Sequence, residues 1–338
     1  MRNPCKLTHT LMALLALMML SVAALAADPG VAYPAASPIS DQKAGSVLIY
    51  NIYSSSVSAP NTQNARVNIT NTNSIFSVNV HIFFVDGATC SIADSYICLT
   101  ENQTASFLAS DVDPGTTGYI VAVASDDFGC PIPFNWLIGD VYVKLASGHA
   151  ANLAAEAINA RASVPAVCDG ASITAILNFD DVNYDRAPRT LAVSNIPSRA
   201  DGNDTLIILN RIGGSLVTGA ATIGSIFGLI FDDAENPLSF TFNAGVCQFR
   251  SSLSDNFPRL APRFQQFIPA GRSGWAKFFS LGENVALSGA SINFNPNATT
   301  AANAFNQGHN MHKLTLTTSA QLTIPIFPSN CGFDSISD

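Results

Sequence analysis

The sequence predicts an all-β protein made of two tandem β-sandwich domains, with one short helix in each half. Three observations carry that prediction. Short β-rich runs are separated by Gly, Pro, Asn and Asp about every 8–12 residues. Several of those runs alternate apolar and polar residues with period two. A set of motifs recurs in the same order in both halves.

Residues 1–27 read as a signal peptide. Arg2 and Lys6 form a positive n-region, Leu11 to Leu20 an apolar h-region, and Ala24-Leu25-Ala26 a small-residue cleavage site. Asp28-Pro29-Gly30 follows directly, with no basic stop-transfer patch, so export without a membrane span after cleavage is expected. Removing Arg2 and Lys6 takes the formal net charge from -8 to -10. Charged residues are only 12% of the chain, and no basic run is present. Nucleic acid is therefore not an expected partner, because nothing clusters to neutralise phosphates.

Residues 28–44, rich in Pro, Ala and Ser, read as an extended linker. Domain 1 is placed at 45–170. Val47 to Tyr53 is its first strand, and Arg66 to Asn71 alternates polar and apolar. Val78, Val80, Ile82 and Phe84 alternate with Asn79, His81 and Phe83, which predicts one buried and one wet face. Ser106 to Tyr119 reads as strand, turn and strand around Asp113-Pro114-Gly115. Strands follow at Tyr119–Ala124 and within Phe134–Leu145, where Gly139 marks a close backbone approach. The Ala-rich stretch Gly148 to Ala160 suits the short helix.

Domain 2, at 171–338, repeats the plan. Leu191 to Ser198 echoes Leu48 to Ser54 around a shared Asn-Ile pair, and Thr205–Asn210 echoes Arg66–Asn71. Phe227–Asp233 answers His81–Asp86, Gly274-Trp275 answers Gly118-Tyr119, and Leu287–Phe294 answers Leu137–Val143. Ala298 to Phe305 is the partner of the first helix. Ile173–Phe179 and Leu314–Phe327 are expected to close their respective halves.

Cys5 leaves with the signal, so six cysteines remain, and an even count in an exported chain implies three disulfides. Cys90–Cys98, Cys130–Cys168 and Cys247–Cys331 are the expected pairs, since each keeps its bridge within one domain.

Asp181-x-Asn183-x-Asp185, preceded by Asp180, is the metal candidate. Oxygen ligands at alternate positions suit a hard cation, and calcium is the one cofactor it suggests. Arg186 stands where such a loop needs Gly, and a solvated acidic turn is the competing reading. Asp111-x-Asp113-x-Gly115 lacks the closing Glu, and Asp-Pro-Gly is a common turn. His309-x-x-His312 lacks further zinc ligands. His81 is expected to point outward from its strand and His149 to lie near the helix start.

No G-x-S-x-G, Walker or G-x-G-x-x-G motif occurs in the sequence. Asp126-Asp127 and Asp232-Asp233 would point to opposite faces of a strand, so turns explain them better than paired catalysis. Tyr119, Tyr142 and Trp275 are candidates for a sugar-binding platform, against the commoner role in a core. Sequons at Asn68, Asn102, Asn203 and Asn297 fit surface positions.

The Asp113-Pro-Gly-Thr-Thr-Gly-Tyr119 turn, the Val80-His-Ile-Phe-Phe-Val-Asp-Gly87 strand and the export signal resemble uncharacterised exported bacterial proteins with Ig-like β-sandwich domains. The resemblance covers most of the mature chain loosely. It implies an Ig-like fold and a secreted, periplasmic or cell-surface location, and it carries over no catalytic residue. The expected function is that of a secreted, non-enzymatic surface, adhesion or structural module whose partner is an extracellular protein or a glycan. The alternative is a carbohydrate-binding or carbohydrate-active extracellular protein. An outer-membrane barrel would also alternate, but frequent Pro and three disulfides argue against one.

Overall fold

A computed structural model describes residues 31–32, 40–163, 168, 171–300, 302 and 304–331. The expected signal peptide and most of the expected linker lie outside the described residues. The part of the linker that is described takes part in the fold: Val31–Ala32 (β1) pairs with a late strand, and Lys43 ion-pairs with Asp185.

Strands dominate because β-branched and aromatic residues fill the apolar runs. In the first half, β2 (Val47–Ser54), β4 (Val78–Asp86), β5 (Ile92–Leu99), β7 (Thr117–Ser125) and β10 (Glu156–Ile158) form an antiparallel sheet in the order β10-β2-β7-β4-β5. A second sheet has the order β6-β3-β8-β9, from β3 (Asn64–Asn71), β6 (Thr104–Leu108), β8 (Leu137–Lys144) and β9 (Ala150–Ala154). Alternate residues of both sheets meet in one core, Leu48, Tyr50, Ile82, Phe84 and Ile120 against Val67, Ile69, Val141 and Val143. Each large side chain so buried stabilises the fold by about 1.5–3 kcal/mol.

The second half repeats this strand for strand. β12 (Pro188–Pro197), β15 (Gly224–Asp232), β16 (Pro237–Ala244), β18 (Ser273–Ser280) and β21 (His312–Leu316) pair in the order β21-β12-β18-β15-β16, with β1 outside β21. β13 (Asp204–Ile212), β17 (Gln248–Ser252), β19 (Ala286–Phe294) and β20 (Gln307–Asn310) pair as β17-β13-β19-β20. A one-turn helix precedes the third strand of each five-stranded sheet: α1 (Ala109–Val112) before β7, α2 (Phe264–Phe267) before β18.

Local geometry repeats as well. β2 bulges against β7 between Tyr50 and Tyr53, and β12 bulges against β18 between Val193 and Ile196. Gly118 pairs with Asp86 and Gly274 with Asp232, as the sequence echo requires. A Cβ on Gly118 would collide with the Val85 carbonyl, and one on Gly274 with the equivalent carbonyl of Phe231. The registers correct one match: the bulge aligns Asn51 with Ser194, so the shared Asn-Ile pair is displaced by one residue.

Several expectations are corrected. Gly148–Ala160 is not a helix but a loop followed by β9 and β10, because tertiary pairing with β8 and β2 overrides alanine's helix propensity. The described part of Ala298–Phe305 holds turns instead of a helix. The two closing strands do not complete separate halves. β11 (Thr174–Phe179) pairs with β22 (Ala320–Pro325), and with β14 (Gly214–Ser215) they make a fifth, three-stranded sheet. That sheet lies on the outer face of β2, β4 and β7, so β4 is buried on both faces instead of one.

Nor does each half keep a wholly private core. Leu206, Ile208, Ala290 and Ile292 pack into the first core, while Ile207, Leu209 and Leu287 on the same strands pack into the second. The strand order also departs from the immunoglobulin one. There, the last strand pairs with its predecessor; here β10, the last strand of the first repeat, pairs with β2 and not with β9.

Of the disulfides, Cys130–Cys168 forms as expected, but the other two are Cys90–Cys247 and Cys98–Cys331, with Cα–Cα distances of 5.5 and 5.3 Å. Cys90 and Cys98 flank and end an extended strand, which separates them by about 26 Å, far beyond disulfide reach. Both new bridges tie the first half to segments of the second.

Candidate functional site

The two repeats differ most on the outer faces of their five-stranded sheets. Strand registers make His81, Phe83, Val85, Tyr119, Val121 and Val123 of the first repeat equivalent to Phe227, Leu229, Phe231, Trp275, Lys277 and Phe279 of the second. The first set is buried under the β11-β22-β14 sheet, against Leu177, Phe179, Leu322 and Ile324. The second set carries more aromatic surface, yet its side chains are only half-buried and none joins a core cluster of the described residues.

Cross-strand stacking orders this face. Phe231 and Trp275 lie with ring centroids 4.5 Å apart and planes 8° from parallel; Phe227 and Phe279 stack at 5.0 Å. Rings stacked between neighbouring strands turn their faces to each other and their edges outward. The result is an apolar ridge with Lys277 between the two pairs, bordered by Pro237, Ser239 and Thr241 of β16. At the Trp275 end a cavity of about 250 Å3 is lined by Asn195, Asp201, Asp233, Arg272 and Ser273.

The expected platform residues therefore separate. Tyr119 is core, its hydroxyl donating to the Arg211 carbonyl at 3.0 Å, and burial pushes its pKa above the ordinary value. Tyr142 stands on the open face of the β6-β3-β8-β9 sheet, where Trp136 and Ile138 are also exposed. Beside them, a cleft of about 440 Å3 is lined by Asp41, Lys43, Asn68, Thr70 and Asp140.

The metal candidate is organised by side-chain cations. Asp181 meets Arg161 Nη2 at 2.9 Å, and buried Asp185 meets Arg161 Nε at 2.6 Å and Lys43 Nζ at 3.3 Å. Asn183 donates through Nδ2 to Asp180. Asp180 also accepts the backbone N–H groups of Val182 and Asn183; these bonds hold its pKa low although burial opposes them. Asp113 accepts from the Tyr53 hydroxyl and from Thr116. Among the described residues no cluster of three or more His, Cys, Asp or Glu side chains is placed to hold a metal ion.

The remaining candidates are largely structural. Asp126 and Asp232 each accept two backbone N–H groups within their turns, Asp127 accepts from Asn79, and Asp233 pairs with Arg272. His309 and His312 have ring centroids 6.3 Å apart, and burial, then the neighbouring His312, pushes the His309 pKa down. Asn203, expected at the surface as a sequon, is buried, whereas Asn102 and Asn297 are exposed.

Two histidine constellations were not legible in the sequence. His81, expected to point outward, is fully buried, stacked on Tyr96 and bonded through Nε2 to Asp94 at 2.7 Å. Ser147 Oγ lies 2.8 Å from His149 Nδ1, and His149 Nε2 donates to the Asp204 carbonyl at 2.8 Å. The Asp204 carboxylate is held mainly by Arg199 at 2.6 Å, with His149 Nε2 3.8 Å from its other oxygen. Asp94 meets His81 across the β4–β5 pairing, and Asp204 reaches His149 from 55 residues along the chain, so neither constellation has a local sequence motif. Among the described residues no helix is long and apolar enough to cross a membrane. Comparison with known proteins finds no matching family model and no matching curated protein.

Proposed function

We propose that this chain is an exported, non-enzymatic module of two tandem sandwiches of one repeated plan. In this reading it serves as a surface, adhesion or structural protein, docking an extracellular polypeptide on the outer face of its second repeat. The carrying observation is the pairing of a roofed face in one repeat with a more aromatic face, not roofed by any described residues, at the equivalent place in the other. Large aromatic patches left to solvent mark interaction sites. The roof of the first repeat indicates the partner's chemistry: a layer presenting alternate aliphatic residues, as Leu177, Leu322 and Ile324 do there. Stacked rings with outward edges suit such a layer better than a sugar, which needs an open ring face. The signal segment and the three disulfides support export.

The test is an array of purified matrix proteins and glycans, with and without calcium, probed with the mature protein and with a Phe227→Ser/Phe279→Ser variant. Retention on a protein, lost in the variant, is expected. Retention on one polysaccharide, unaffected by the variant, would replace this reading with the carbohydrate one. That second reading has its own observation, the polar cleft holding Asp41 and Asp140 beside the exposed Trp136 and Tyr142 face. Asp140→Asn would then abolish retention.

A further inference from the structure

The seam between the repeats buries a set of polar side chains that neither core explains. Asn51, in the bulge of β2, Glu156 of β10 and Asn210 of β13 are almost wholly buried. Lys313 of β21 comes from the second repeat with a side chain only 9% exposed, against 2% for Glu156. One carboxylate links the two repeats: Lys313 Nζ lies 3.2 Å from Glu156 Oε2, and Asn51 Nδ2 donates to Glu156 Oε1 at 3.1 Å. Asn210 Nδ2 sits 3.3 Å from Asn51 Oδ1. An amine, a carboxamide, a shared proton carrier and a donor on the carboxamide oxygen are thus assembled in a site shielded from water.

We propose that Lys313 and Asn51 become joined by an amide bond formed within the folded chain, with Glu156 carrying the proton. Glu156 takes a proton from the Lys313 ammonium, and the freed amine adds to Cγ of Asn51. The oxygen of the tetrahedral adduct gains negative charge, which one Asn210 Nδ2–H stabilises while Nδ2 also donates to the Asn51 main-chain carbonyl at 2.9 Å. Glu156 passes its proton to the Asn51 nitrogen, which already rests on its other oxygen. The bond from Cγ to that nitrogen breaks, and the nitrogen leaves as ammonia, taking up the proton that the new secondary amide sheds. An ammonium and a primary amide thus become a secondary amide and an ammonium ion, with no oxidant or reductant and with Glu156 regenerated. Burial favours this outcome over hydrolysis of the carboxamide, and fixed placement replaces a bimolecular encounter. Asn310 is not equipped in the same way: its Nδ2 donates to Asp41 and to the Ala154 carbonyl, and its Oδ1 only accepts from Asn51 Nδ2, at 2.8 Å. The bond would fasten β2 of one repeat to β21 of the other by a link that reduction cannot open, beside two disulfides that it can.

The experiment is an intact-mass measurement on the mature protein, reduced and denatured, followed by peptide mapping. The wild type is expected to be lighter than its sequence mass by one ammonia and to yield a branched peptide joining Asn51 to Lys313. Glu156→Gln and Lys313→Arg are each expected to show the full sequence mass. The full sequence mass in the wild type would overturn the proposal whatever the variants do. A branched peptide ending on a different asparagine would overturn the assignment of Asn51.

Discussion

The outer faces of the two five-stranded sheets occupy the same place in the same strand order, yet they live in opposite environments. In the first repeat Phe83, Val85, Tyr119, Val121 and Val123 lie under the three-stranded sheet made from the inter-repeat segment and the C-terminal strand. In the second repeat Leu229, Phe231, Trp275, Lys277 and Phe279 hold those positions without a roof of described residues. The difference teaches that a sheet face is defined by what later parts of the chain lay over it. All the equivalent positions carry different residues, and one change brings in a lysine: Lys277 where the roofed face has Val121.

That substitution gives the sharpest test. Val121→Lys would put an unpaired charge under the roof and is expected to cost more than about 4 kcal/mol, read from denaturant unfolding with the disulfides intact. An unchanged midpoint would break the claim that the first face is sealed. The reciprocal Lys277→Val is expected to change stability by less than about 1 kcal/mol.

Below that comes the glycine shared by the two strand starts. Gly118→Ala forces a methyl against the Val85 carbonyl within a sheet packed on both faces, and a loss of about 3 kcal/mol is expected. Gly274→Ala is expected to cost less, because the second sheet can shift toward its open side. Equal losses would show that the roof adds no rigidity.

Arg161→Ala should destabilise by a comparable amount, about 3 kcal/mol, by stranding the buried Asp185 carboxylate with only Lys43 as a cation. Burial already pushes the Lys43 amine below its ordinary pKa, with Asp185 opposing. Calcium is expected to leave the melting temperature of the wild type unchanged. A calcium-dependent rise would revive the metal reading of Asp181, Asn183 and Asp185.

The smallest effect is a pH dependence confined to the roofed face, where His81 stands in place of Phe227. Burial pushes the His81 pKa below its ordinary value, with the Asp94 carboxylate opposing and Tyr96 stacked on the ring. The folded state therefore binds fewer protons than the unfolded chain in the window below about pH 6.5. Stability is full above that pH and falls on acidification, by at most about 1.4 kcal/mol per pH unit, until the folded pKa is passed. His81→Phe should flatten the dependence between neutrality and pH 5, and a slope unchanged in that variant would assign it elsewhere.

Much of the architecture was legible because it is local. Gly118-Tyr119 and Gly274-Trp275 marked equivalent strand starts, since the close approach of a neighbouring carbonyl tolerates only glycine at both. Alternation placed the inward residues of β3, and the acidic turns at Asp86 and Asp232 were readable because their ligands are backbone groups a few residues away.

What the sequence determined by itself was therefore the strand content, the repeated order and the six cysteines available for bridging. Tertiary structure alone decided that neither face of β4 is wet, which cysteine meets which, and that Ala150–Ala154 is a strand. It also brought Lys313, Glu156 and Asn51 together from three distant segments. The physical reason is range. Backbone sterics and turn chemistry act over a few residues and leave a trace in spacing. Burial, disulfide reach and the sharing of one carboxylate depend on segments that meet only when the last strand is in place. The unroofed aromatic face belongs to this second class: its residues read as ordinary core until the fold shows that nothing of the described chain covers them.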